Sequence, residues 1–131
     1  IVHEYSHLEQ YIEGVYQDDD KAIIFEEWIK GKNYNFDKVK DACAFLRDCE
    51  LDCERRSLKI MRKFKLPINR KVYARKAAAY LHYHNFVLES RKWYESVPYE
   101  KPEIIVEMPD HLKGNFRRTP EKILQLFRKY L

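Results

Sequence analysis

Apolar residues recur along this chain at helical spacing. Val2, Tyr5, Leu8, Tyr11 and Ile12 fall three or four positions apart, which predicts one apolar helix face running to about Glu13. Gly14 and the run Asp18-Asp19-Asp20 end that helix, and the triplet reads as a solvated cap for the next one rather than a cation site. Ala22, Ile23, Ile24, Phe25, Trp28 and Ile29 predict a short amphipathic helix over 21–30, closed by Gly31. A long helix follows from 36 or 37 to 64, carried by Val39, Ala42, Cys43, Leu46, Cys49, Cys53, Ile60, Met61 and Phe64 and stopped by Pro67. Another is expected from 69 or 70 to about 93, rich in Ala and Tyr, with Ala77-Ala78-Ala79 small enough to admit a neighbouring helix closely. Prolines at 98, 102 and 109 mark an irregular connection in which 103–107 is expected to be extended. Thr119-Pro120-Glu121 then predicts a last helix, with Thr119 as cap and Pro120 at its first position.

These elements predict a mainly α, single-domain protein over the 131 residues, a length sufficient for one real core. Composition changes little in that picture. Apolar residues at 45% and charged residues at 35% suit a globular domain, and no run is long enough to span a membrane. The net charge of +4 is spread among interleaved acids and bases, which argues against nucleic acid as the partner. Three cysteines, Cys43, Cys49 and Cys53, make no paired framework and point to a reducing, cytoplasmic compartment. On core-facing positions they read as small apolar residues rather than metal ligands. The chain opens on Ile1 without a Met or a signal-like segment, so an upstream segment is expected to be missing and the first helix to lack a cap.

Candidate chemistry is concentrated in His3-Glu4-Tyr5-Ser6-His7, an HExxH motif. On a helix, His3 and His7 lie one turn apart on one face, where two imidazoles grip one metal ion while Glu4 reaches its water; without a metal the motif is an ordinary polar helix turn. Such a site needs a third protein ligand. The residue types offer Cys49-Glu50-Leu51-Asp52-Cys53-Glu54 in the long helix, or His82 and His84 in the Tyr-rich one. Glu50 is preferred because it shares the stripe of Leu46, Cys49 and Cys53, where a buried carboxylate needs a charged partner. Glu54, one turn on, is placed to accept from the far nitrogen of a ligating histidine. The alternative is a solvated acidic pair flanked by Arg47, Arg55 and Arg56.

HExxH, followed by a helical Glu with an acidic residue four positions later, resembles the gluzincin metallopeptidases. More narrowly, IVHEYSHLEQ, ELDCERRSLKIMRKFKLPI, AAAYLHYHNF and RKWY are similar to small single-domain zinc metallopeptidases of phages and large DNA viruses, from His3 to about Tyr94. The resemblance implies a zincin-like helical core, in which the HExxH helix packs on the Glu-bearing helix and the Tyr-rich helix, with upstream strands outside this chain. It implies Zn2+ held by His3, His7 and Glu50, Glu4 as the base that deprotonates the attacking water, Glu54 supporting a ligand, and a peptide or protein substrate of viral or host origin. This sequence has Glu at 54 where the commoner pattern has Asp. Tyr73, Tyr80 and His84 share one helix face, and Tyr80 or His84 is the expected oxyanion donor; otherwise these rings are core aromatics. The competing expectation is a non-catalytic helical interaction module, or a virion-structural part with a protein partner, that keeps the metallopeptidase frame.

Overall fold

The computed structural model describes residues 1–131 and contains six α-helices and no strand: α1 Val2–Glu13, α2 Asp19–Ile29, α3 Phe36–Lys63, α4 Arg70–Ser90, α5 Pro102–Ile105 and α6 Glu121–Arg128. A 3-10 turn, Pro98–Glu100, precedes α5. With 28 residues, α3 is about 42 Å long, and α1, α2 and α4 all pack along it. No helix is long and apolar enough to cross a membrane.

The expected boundaries have visible local causes. Gly14 closes α1 in the left-handed region at φ 71°, leaving the last carbonyls satisfied by the Gly14 and Val15 amides. Asp18 caps α2 by accepting from the Lys21 amide, as the acidic triplet suggested. Asn35 and Asn69 cap α3 and α4 in the same manner, accepting from the amides of Asp37 and Val72. Helix α4 stops earlier than expected, at Ser90, because Arg91 turns left-handed and lays its guanidinium on the carbonyls of Trp28, in the last turn of α2, and of Lys32 just beyond it. That placement puts a cation against the negative end of α2.

Three expectations are corrected. Residues 103–107 are not extended: Pro102 presets the first turn of α5, and Ile104 is fully buried with no strand available as a partner. Thr119 does not cap α6, whose first turn is preceded by Pro120; the Thr119 hydroxyl meets Asn85 and His82 instead. The third correction positions the site. The apolar face of α1 is turned outward, with Tyr5, Leu8, Tyr11 and Ile12 between 51% and 74% exposed. Ser6 and Gln10 are the buried residues, so α1 meets α3 through the polar stripe His3, Ser6, His7 and Gln10. Ser6 Oγ contacts Ser57 Oγ at 2.9 Å, a close approach that only small side chains permit.

The main core lies on the other side of α3. Ala78, Ala79, Leu81, Tyr83, Phe86 and Val87 of α4 are fully buried, as the small-residue run predicted. Phe127 of α6 stacks on Phe86, with ring centroids 5.4 Å apart, and Tyr83 Oη accepts from the Tyr94 amide at 2.7 Å.

Candidate metal centre

The i, i+4 spacing on α1 brings His3 Nε2 and His7 Nε2 to 3.0 Å from each other. Across the helix interface, Glu50 of α3 directs its two oxygens at them, 3.6 Å from His3 and 3.4 Å from His7. The structure therefore brings together the three expected ligands and adds Cys53, one donor atom from each of the four lying within 4.8 Å of the others.

The opposite ring nitrogens are held from behind. His3 Nδ1 contacts Glu54 Oε1, whose carboxylate is almost fully buried, so this nitrogen donates. His7 Nδ1 lies 2.8 Å from Gln10 Oε1. Gln10 cannot reverse its amide, since its Nε2 already donates to the Cys49 carbonyl and to Asp52 Oδ2, and Asp52 is in turn bound by Arg56. Both Nδ1 atoms thus carry protons, and both Nε2 atoms present lone pairs.

Four acceptor atoms now converge on one small space with no donor between them. Glu50 Oε2 is buried and has no hydrogen-bond partner. Burial pushes the Glu50 carboxyl above its ordinary pKa, with Glu54 adding to the rise and the two histidines opposing it. A proton shared between the rings satisfies one pair and leaves Glu50 orphaned, whereas a metal cation satisfies all of them. At Zn–N and Zn–O bonds of about 2.0–2.1 Å, tetrahedral ligand atoms stand about 3.3 Å apart, close to the separations here. The donor set could hold a metal cation.

Gln10 carries no signal in the sequence beyond its place one turn after His7 on the stripe of His3. Replacing it with Leu removes the partner that fixes the His7 tautomer, and zinc affinity is expected to fall about 10–100-fold, measured by competition with a chromogenic chelator. An unchanged affinity would remove Gln10 from that role.

Glu4 stands apart from the cluster. Its carboxylate is exposed and touches no ligand. The Tyr80 ring borders two cavities beside the cluster. One, of about 570 Å³, includes His3, Glu54, Tyr73, Lys76 and Tyr99; the other, of about 410 Å³, is mostly apolar and includes Phe25, Leu46, Glu50 and Trp93. Burial, followed by the charge of Glu50, raises the Tyr80 pKa, so its hydroxyl stays a proton donor. Tyr73 is raised in the same direction, first by burial and then by Glu54.

His84 lines the same apolar cavity as Glu50 and Tyr80. It is almost fully buried and uses Nδ1 on the Tyr80 carbonyl at 2.9 Å, which leaves Nε2 an acceptor. His82 faces Thr119, so neither histidine reaches the cluster. Burial first, with Arg47 adding for both, lowers each of these pKa values to about 4. A base with a depressed folded pKa lends stability that is complete above the unfolded value, about 6.5, and is lost as pH falls toward 4. Urea titrations are expected to show a loss of about 3 kcal/mol per ring across that window, and a flat profile would contradict their burial as neutral rings.

The sequence and structure comparisons add no relative to this geometry: no family model, curated protein or solved structure matches the chain.

Proposed function

We propose that this chain is a zinc-dependent peptide hydrolase of gluzincin type, with His3, His7 and Glu50 as the metal ligands. The convergence of two imidazole lone pairs and a partnerless buried carboxylate at 3.0–3.6 Å carries this reading. Zinc bound there supplies Lewis acidity, polarising a scissile carbonyl and making a water more acidic. Glu54 and Gln10 hold the two rings so that their Nε2 atoms face inward. Glu4, adjacent to His3 and exposed on the surface, takes the proton of the attacking water at its carboxylate. Tyr80 donates its hydroxyl proton as a hydrogen bond to the developing oxyanion, and the two cavities that meet at its ring receive the chain on either side of the scissile bond.

Metal analysis of the purified chain tests the reading at its base. One zinc per chain is expected, and its absence after dialysis against buffered zinc would sink the proposal. A second reading, a helical interaction module braced by the same metal, is favoured by the outward apolar face of α1. In that case the metal is retained, peptide hydrolysis is nil, and charged substitution at Leu8 or Ile12 abolishes binding to a protein partner.

A further inference from the structure

Helix α3 presents Glu50 and Cys53 three residues apart on one face, opposite His3 and His7, four residues apart on α1. The thiol of Cys53 is fully buried at the interface between the two helices. Its Sγ lies 3.4 Å from the His3 carbonyl and 3.6 Å from His3 Nδ1, both weak contacts for a thiol. It also belongs, with His3, His7 and Glu50, to a group of four whose donor atoms lie within 4.8 Å of one another, and Glu50 Oε2 in that group is buried without a hydrogen-bond partner.

We infer that Cys53 supplies a fourth ligand, closing the set to two imidazoles, one carboxylate and one thiolate. This rests on the metal reading above and goes beyond the three-ligand site. With Zn–S of about 2.3 Å, a tetrahedral sulfur stands about 3.6 Å from its nitrogen neighbours, a separation that falls inside the 4.8 Å within which these donor atoms lie. On ligation the S–H bond breaks, its proton passes to solvent, and the sulfur electron pair forms the bond to the metal. A site with four protein ligands is closed to water, which is the character of a structural brace between α1 and α3. Hydrolysis at such a site requires the sulfur to leave and to regain its proton.

Cobalt(II) loaded into the full chain provides the test. Wild type is expected to show the visible bands of a tetrahedral ion together with a near-ultraviolet thiolate-to-cobalt charge-transfer band. Cys53→Ala should keep the visible bands and lose the charge-transfer band, with zinc affinity lowered about tenfold or more, while Cys49→Ala keeps both. X-ray absorption of the zinc-loaded wild type needs no variant and should find one sulfur neighbour at about 2.3 Å. Visible bands without charge transfer, or a zinc shell of nitrogen and oxygen alone, overturn the role of Cys53 and leave the three-ligand site standing. Failure of wild type to bind cobalt or zinc overturns both.

Discussion

Glu50→Gln is expected to abolish stoichiometric zinc binding and, at the same time, to make the metal-free protein more stable. The two effects have one origin. In the metal-free chain the carboxylate is largely buried, faces two imidazole lone pairs, and has one oxygen without any partner. An amide of the same shape donates its N–H to one of those lone pairs and carries no charge to desolvate, which is worth about 1 kcal/mol, or about 4 °C in Tm. The pH dependence follows from the same displacement. A carboxyl whose folded pKa is raised contributes stability below its unfolded value, about 4.5, and loses it as pH climbs through the raised one. Its trend opposes that of His82 and His84, so Glu50→Gln should also steepen the acid loss. Zinc affinity should drop by about a thousandfold or more, beyond the 10–100-fold typical of residues that merely support a ligand. Calorimetry on metal-free and zinc-loaded protein checks both signs, and a variant that still binds zinc as wild type does would remove Glu50 from the ligand set.

Glu4→Gln should leave the metal in place and reduce peptide hydrolysis by about 10²–10⁴-fold. Its side chain is exposed and touches no ligand, so the cluster has no reason to move. The amide cannot accept the proton that the carboxylate takes. A fluorogenic peptide assay on zinc-loaded protein, with zinc content measured in parallel, separates the outcomes. Full activity in the variant would place the base elsewhere, while loss of zinc would mean that Glu4 supports the metal rather than the water.

The inverted packing of α1 explains why part of the centre was readable and part was not. His3 and His7 share a face because of the helical repeat alone, and Glu50 with Glu54 obey the same rule on α3. Gln10 obeys it too, yet nothing in the sequence marks a glutamine as buried, and the apolar residues of α1 pointed to the opposite face. Cys53 was read as a small apolar residue rather than a ligand, and its placement among the donor atoms depends on the approach of α1. His84 looked available as a donor until its Nδ1 was found on the Tyr80 carbonyl.

Local chemistry in the sequence determined the helical class, the major helices and most of their ends, because caps, prolines and apolar spacing act within a few residues. It also determined the motif that brings two imidazoles onto one turn. Which face of α1 is buried, and which residues of α3 it meets, was decided only in the tertiary structure. There Ser6 and Ser57 permit close contact between the helices, and hydrogen bonds donated by Gln10 and Arg56 and accepted by Glu54 offset the cost of burying a polar stripe. That balance is struck between residues about 40 to 50 positions apart, beyond the reach of any periodicity along one helix.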